Sequence, residues 1–324
     1  MTRRPAVLIT GAAGFLGTHL VRSFAARGFD VLPLVREVDE RSPAGARALD
    51  EVLTTPGALD GFDALVHAAA VRHRHGVDER TYRASNVGLV ERLLRAASGR
   101  VRRFVDVSSV GVYGFPSRLP VTEAHPYAAK TLYSVTKIEA EQIVRRLAPE
   151  LGIEHVIVRP TIVYGPGDTN GMLDKMAQMI RAGTYRVVGS GANTLHHTYV
   201  DDIVDGIHLA VASPSAAGED FVLAGPETIT LQRISELVAR AVGRPLARMH
   251  VPLALARMAA TAFDIATYRG WAFETREPPI NHAKLDVMTV PISFDTSKAR
   301  RVLGYAPRVG YEDGIARTLG QRAT

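Results

Sequence analysis

The sequence predicts an α/β fold in which a doubly wound parallel sheet carries helices on both faces, with a smaller, mostly C-terminal α/β unit beside it. Three observations point there. An apolar run, Ala6-Val7-Leu8-Ile9-Thr10, passes into glycines at Gly11, Gly14 and Gly17 and then into helical spacing at Leu20, Val21 and Phe24. Further short apolar runs, Ala64-Leu65-Val66-His67 and Phe104-Val105-Asp106-Val107-Ser108, alternate with stretches of helical periodicity, the pattern of right-handed β-α-β crossovers. At 324 residues the chain is long enough for a large core and a second domain.

The opening stretch reads as strand, tight turn and helix, the start of a Rossmann-type sheet. Gly11 permits the turn, Gly14 lets backbone approach a pyrophosphate, and Gly17 lets helix and strand pack closely. The helix N-terminus offers free N–H groups and the positive end of its dipole to phosphates.

Composition narrows the function classes. Hydrophobic residues make up 46% and charged residues 22%, ordinary values for a soluble globular protein. With no cysteine there are no disulfides, thiolate nucleophiles or cysteine metal sites, which fits the cytoplasm. The net charge of +6 suits an anionic ligand. The basic clusters at Arg100 to Arg103 and Arg145-Arg146 are short and lack interleaved aromatics, so nucleic acid is not an expected partner. Arg257 interrupts the longest apolar stretch, Val251 to Phe263, and no membrane span is expected. Thr2-Arg3-Arg4-Pro5 leads straight into the first strand, so no signal peptide is expected.

Asp30 to Val35 reads as the second strand. In NAD-binding units an acidic residue usually ends this strand and holds the adenosine ribose. Asp30 stands at the strand's start instead, and Arg36 at its end can pair with a ribose 2′-phosphate, which favours NADP over NAD. Residues 37–60 read as loop plus short helix. After the third strand, the small residues Ala68-Ala69-Ala70 let a dinucleotide lie against backbone. Arg72-His73-Arg74-His75 reads as a solvated basic loop, because its arginines would repel a metal cation. Helical periodicity covers Arg80 to Ala97, and Arg103 to Ser109 is the next strand. A ligand belongs at the carboxyl ends of such strands, where Gly11, Ala69 and Ser109 stand.

Tyr133 and Lys137 begin another helical pattern that runs on through Ile138, Ile143, Val144 and Leu147, so they share one face a turn apart. A tyrosine ionises near pH ~10, too high for a base at neutral pH, and a lysine ammonium close by stabilises the phenolate. Ser109 can orient a substrate oxygen. Together these groups suit hydride transfer, with Tyr133 taking or giving a carbinol proton. The second half continues with a strand at Ile153 to Val158, a core-facing helix at Met172 to Ala182 with Met176 and Met179 on its apolar face, and a helix from Thr198 through Leu209 capped by Asp201 and Asp202. Amphipathic helices at Thr230 to Val242 and Val251 to Ala266, then Ser297 to Leu303 with Gly304-Tyr305-Ala306-Pro307, complete it.

The series Thr10-Gly11-Ala12-Ala13-Gly14-Phe15-Leu16-Gly17, His67-Ala68-Ala69-Ala70, Asn86, Ser109 to Gly114, Tyr133 to Lys137 and Arg159-Pro160-Thr161-Ile162-Val163-Tyr164-Gly165 resembles the extended short-chain dehydrogenase/reductase family, also called the NAD-dependent epimerase/dehydratase family. The likeness covers nearly the whole chain. It implies Ser109, Tyr133 and Lys137 as catalytic residues, with Lys137 also holding the nicotinamide ribose. The dinucleotide would lie against Gly11, Ala13, Gly14, Phe15, Leu16, Arg36, Ala68, Ala69, Asn86, Ser108, Tyr133, Lys137, Pro160 and Val163. Substrate contacts would come from Ser109, Val110, Tyr133 and Arg276, and no metal is implied. Relatives often carry a Gly-Asp pair for the adenine; neither Asp50 nor Asp60 aligns with it. The resemblance also implies a homodimer through the helices at Arg80–Ala97 and Tyr133–Ala148.

The expected division is a cofactor domain of roughly 1–168 plus 192–226 and a substrate domain of roughly 169–191 plus 227–324. Nucleotide-sugar epimerases usually carry Asn where this chain has Ile162, and an Arg near His196-His197 for the diphosphate. Both departures, with Arg36, favour a dehydrogenase or ketoreductase of the 3β-hydroxysteroid dehydrogenase or dihydroflavonol reductase kind. The alternative is a UDP-glucose 4-epimerase-like enzyme with tightly held NAD, where Arg276 could meet the phosphate. A non-catalytic nucleotide sensor is a third reading, which intact Ser109, Tyr133 and Lys137 argue against.

Overall fold

A computed structural model describes residues 3–72, 76–169, 171–268 and 278–320. Its first half runs β1 (Ala6–Thr10), α1 (Phe15–Ala26), β2 (Asp30–Val35), β3 (Arg47–Ala48), α2 (Leu49–Thr54), β4 (Ala64–His67), α3 (Glu79–Arg83), α4 (Leu89–Ala97), β5 (Arg103–Val107), α5 (Leu132–Glu150) and β6 (Glu154–Pro160). The second half runs β7 (Ile162–Tyr164), α6 (Met172–Arg181), β8 (Thr194–Leu195), β9 (His197–Tyr199), α7 (Val200–Ala212), β10 (Asp220–Leu223), β11 (Ile229–Thr230), α8 (Leu231–Ala241), α9 (Leu253–Tyr268), α10 (His282–Thr289), α11 (Ser297–Leu303) and α12 (Tyr311–Gly320).

Seven strands form one sheet in the order β3-β2-β1-β4-β5-β6-β10, with every pairing parallel. Alternation along the strands sorts side chains between two apolar layers. Val7 and Ile9 point to the layer built with Leu20 and Phe24 of α1 and Ile203 and Ile207 of α7. Leu8, Leu65 and Phe104 point to the other, with Val90 and Leu94 of α4 and Val144 and Leu147 of α5. Burial on both faces explains why these strands read as continuous apolar runs.

The chain leaves β1 in one direction along the sheet and returns to β4 on the opposite side of β1. A crevice opens at such a reversal, outside the carboxyl ends of the strands. The register sets those ends level: Thr10 lies beside Leu34 and His67, His67 beside Asp106, and Val107 beside Val158. Gly11, Arg36, Ala68, Ser108 and Pro160 therefore stand along one edge.

The helix expected over Arg80 to Ala97 is interrupted. Between α3 and α4, residues Ala84–Gly88 form a π-turn that buries Asn86. One extra residue in a turn re-aims a side chain, and here it sends Asn86 toward α5. Asp201 and Asp202 do not cap α7, whose cap residue is Tyr199 without a side-chain bond. Asp202 instead accepts from the Arg308 and Val309 N–H groups at 2.9 and 3.1 Å, tying the chain before α12 to the sheet layer. Leu173, Met176 and Ile180 of α6 are buried as expected, whereas Met179 is 45% exposed. Two small ladders, β7 with β9 and β8 with β11, lie beyond the main sheet. The apolar layer under α7 continues through α6, α8 and α12.

Candidate active site

The turn after β1 is closed by backbone contact. Gly11 has φ +71°, and a Cβ there would stand 2.8 Å from the Ala69 Cα. Both the left-handed conformation and the approach of the Ala68-Ala69 segment require glycine. A Cβ on Gly17 would lie 2.0 Å from the Gly11 carbonyl oxygen, so the close packing that Gly17 permits is with the turn itself. Gly14 caps α1 with no side-chain bond, and Ala13 and Gly14 are exposed. The N–H groups of an exposed first helical turn have no carbonyl partner within the helix and fit a pyrophosphate. Phe15 packs toward Gly165, and Leu16 packs on the core layer, so these two orient the helix start from beneath.

Beside this turn, Thr10 Oγ1 accepts from the Ala69 N–H at 3.3 Å and meets His67 Nδ1 at 2.8 Å. Asn86 Oδ1 accepts from the Val71 N–H at 2.8 Å, and its Nδ2 donates to the Val71 carbonyl and to Thr136 Oγ1, each at 3.0 Å. Asn86 therefore fixes the strand-end loop against α5 through its side chain.

Ser109 follows β5 and caps a short 3₁₀ turn, Val110–Tyr113, accepting from the Gly111 N–H at 3.1 Å. That leaves the Ser109 hydroxyl proton for another acceptor. A Cβ on Gly111 would meet Ser134 Oγ at 2.9 Å and Ser109 Oγ at 3.3 Å, so the serine turn abuts the first turn of α5. Thr131 caps that helix and accepts from the Ser134 N–H. Tyr133 is half-buried; Lys137, one turn on, is 1% exposed and donates from Nζ to the Val107 carbonyl at 2.7 Å. Ser109 and Lys137 thus meet the carboxyl end of β5, and Tyr133 stands one turn before Lys137 on the same helix. Val110 is half-buried in the same turn, while Pro160 and Val163 flank the end of β6.

The Ser108 side chain turns away from the sheet edge, which leaves only its backbone to face a dinucleotide. Ser108 is buried and its hydroxyl donates to Glu141, so its side chain belongs to a network under the site. Glu141 also accepts from Tyr127 and from Arg159, and Arg159 reaches Tyr113 Oη and Asp220. Burial pushes the Glu141 carboxyl up, but the Arg159 guanidinium and the Ser108 and Tyr127 hydroxyls together outweigh it and hold it below the usual range. Glu141 was not singled out from sequence. Its position four residues past Lys137, on the face shared with Ala140, Val144 and Ala148, is the signal that could have found it.

The remaining residues separate clearly. Arg36 is exposed and has no ion pair or hydrogen bond among the described residues. Asp30 sits level with Ala6 at the opposite end of the sheet. Asp50 pairs with Arg92 and Asp60 with Arg100, so both carboxylates are engaged away from the crevice. His196 is buried between the Gly225 carbonyl at 3.0 Å and the Phe294 N–H at 3.1 Å, and burial lowers its pKa. Burial and the neighbouring His196 push His197 down to about 3. Ile162 is 41% exposed. Arg276 and the His73 to His75 segment lie outside the described residues. Among the described residues no cluster of His, Asp and Glu could hold a metal, and no helix is long and apolar enough to cross a membrane.

A family model described as the NAD dependent epimerase/dehydratase family matches residues 7–224, well over half of the chain. The chain belongs to this family. Within it, a 4-hydroxy-2-methyl-3-oxo-4-farnesyl-3,4-dihydroquinoline-1-oxide ketoreductase from Stigmatella aurantiaca is 30% identical over 95% of this chain and 93% of its own. A 3 beta-hydroxysteroid dehydrogenase/Delta 5-->4-isomerase from Mycobacterium tuberculosis is 29% identical over 97% of this chain and 89% of its own. The solved UDP-glucuronic acid 4-epimerase from Bacillus cereus, in complex with NAD, shares the fold with a TM-score of 0.77 at 21% identity, covering 98% of this chain and 100% of that one. As a member of the epimerase/dehydratase family, the chain is an NAD(P)-dependent enzyme that moves a hydride between nicotinamide and a carbinol or ketone.

Proposed function

We propose that this enzyme catalyses net reduction or oxidation of an apolar ketone or secondary alcohol, rather than epimerising a nucleotide sugar. The observation that carries this reading is the state of His196 and His197. Sugar-nucleotide relatives often place an arginine near this point. Here both imidazoles are buried, neutral at physiological pH and, for His196, bonded to backbone on both sides. Neither can offer a cation to a diphosphate. The exposed Ile162 side chain adds apolar surface where those relatives carry an amide. The relatives named as a ketoreductase and a hydroxysteroid dehydrogenase support the same direction.

In this reading the nicotinamide cofactor supplies or accepts the hydride. Gly11, Ala13 and Gly14 bind its pyrophosphate, and Ala68, Ala69, Pro160 and Val163 line its path across the sheet edge. Ser109 donates to the substrate oxygen. Tyr133 delivers the proton to that oxygen in reduction and removes it in oxidation. Lys137 stabilises the tyrosinate and holds the ribose. Asn86 supports the turn carrying Tyr133. The unpaired Arg36 guanidinium favours NADP, whose 2′-phosphate it can meet. The substrate unit is formed by roughly 169–191 and 227–324 against a cofactor unit of roughly 1–168 plus 192–226, and a homodimer pairs through α3, α4 and α5.

The test compares two assays on one preparation. Stoichiometric NAD(P)H consumption with 3-oxosteroid or 2-alkyl-3-oxoalkanoate ketones supports the reading. Interconversion of UDP-glucose and UDP-galactose without net cofactor turnover would replace it by the epimerase reading.

A further inference from the structure

Asp106 is the penultimate residue of β5 and is completely buried. Neither of its carboxylate oxygens has a hydrogen-bond partner. Its neighbour in register across the sheet is His67, also completely buried, whose Nε2 has no partner either. The carbonyl of the very next residue, Val107, accepts the Lys137 ammonium at 2.7 Å. A buried carboxylate without hydrogen bonds is costly, and this one is the chain neighbour of the residue whose carbonyl holds the Lys137 amine.

The charged groups around Asp106 can be accounted for by element. From β4 comes His67, which burial and Lys137 push down to about 3, so it is neutral. From α5 come Lys137 and Glu141, and from β6 comes Arg159. Glu141 and Arg159 are bonded to each other and to Ser108, Tyr113, Tyr127 and Asp220. Lys137 is the strongest charge acting on Asp106. Burial raises Asp106 to about 6, with Lys137 opposing that rise.

We propose that Asp106 is a positioning residue for the catalytic pair: a buried counter-charge that sets how strongly Lys137 stabilises the Tyr133 phenolate. When Asp106 is ionised it cancels part of the ammonium's field at Tyr133. When it is protonated or replaced by a neutral residue, the field acts in full and the phenolate forms at lower pH. This rests on the roles proposed for Tyr133 and Lys137, and it adds a residue that belongs to neither the substrate nor the dinucleotide surface.

The experiment titrates Tyr133 without substrate, by ultraviolet difference absorbance of tyrosinate in the full chain. Tyr133→Phe in each background supplies the subtraction. Asp106→Asn should lower the ionisation midpoint of Tyr133 by roughly one pH unit, about tenfold in phenolate fraction at a given pH. The rising limb of kcat/KM for alcohol oxidation should move with it. Asp106→Ala, which also lacks the charge, should shift the midpoint the same way and serves if Asp106→Asn does not fold. An unchanged midpoint in a folded variant overturns the proposal, because a purely structural aspartate would alter melting without moving it. Failure of the catalytic reading itself is separately visible as retained turnover in Tyr133→Phe.

Discussion

Asn86 Nδ2 donates to Thr136 Oγ1 at 3.0 Å, and Thr136 in turn donates to the Tyr133 carbonyl at 2.9 Å. A π-turn, the loop after β4 and the first turn of α5 are joined through these two side chains. The residue that ties down the loop after β4 is thereby linked to the backbone of the proposed acid/base.

Asn86→Ala leaves the Val71 N–H and carbonyl and the Thr136 hydroxyl with lost partners. The expected cost is about 2–4 kcal/mol of stability, together with a fall in kcat. Urea unfolding monitored by circular dichroism measures the first. Wild-type stability and activity would show that the Asn86 bonds do not organise the site.

Tyr133→Phe retains the ring and removes the proton carrier. Turnover should drop by about 10²–10⁴-fold, while cofactor affinity, measured by fluorescence titration, stays within a factor of a few. Near-normal turnover would assign the proton transfer to another group.

Arg36 stands exposed at the end of β2 with no partner among the described residues. Arg36→Ala should weaken NADPH binding by about 10–100-fold, the worth of one charge-assisted contact, and leave NADH binding nearly unchanged. Equal effects on both cofactors would remove the argument for NADP.

His67 and His197, each lowered to about 3 by burial, shape the acid response. Their unfolded forms titrate near ~6.5, so the unfolded chain binds more protons below that pH. Stability is therefore full above pH ~6.5 and is lost progressively as pH falls toward 3, by about 2–3 kcal/mol at pH 5.5. Asp106, raised to about 6, works in the opposite sense between pH 6 and 4. Melting temperature against pH reads the sum, and His197→Gln should flatten it. A melting temperature constant from pH 7 to 5 would contradict the buried neutral state of these rings.

The parts of this molecule that were legible in the sequence are the local ones. The Gly11 to Gly17 turn, the buried strands and the four-residue spacing of Tyr133 and Lys137 are set by neighbours in the chain. The π-turn at Asn86 was not legible, since one helical period describes both sides of it. Nor were the bonds of Asp202 to Arg308 and Val309, or the pairing of β10 with β6, which join segments remote in sequence. Ser108 shows the same limit: the bond of its hydroxyl to Glu141 joins residues 33 apart and is visible only after folding. His196 is the converse case. Its departure from the sugar-nucleotide pattern was visible as a residue type, but its two backbone partners were not.

The central claim is that the cofactor exchanges with each turnover of an apolar carbonyl substrate. The most direct measurement is the nucleotide released when the purified protein is denatured, identified and quantified by chromatography. Protein that releases little nucleotide and then binds added NADPH reversibly is the predicted result. One tightly held NAD per chain would contradict the account and identify an enzyme that regenerates its own cofactor, as epimerisation requires.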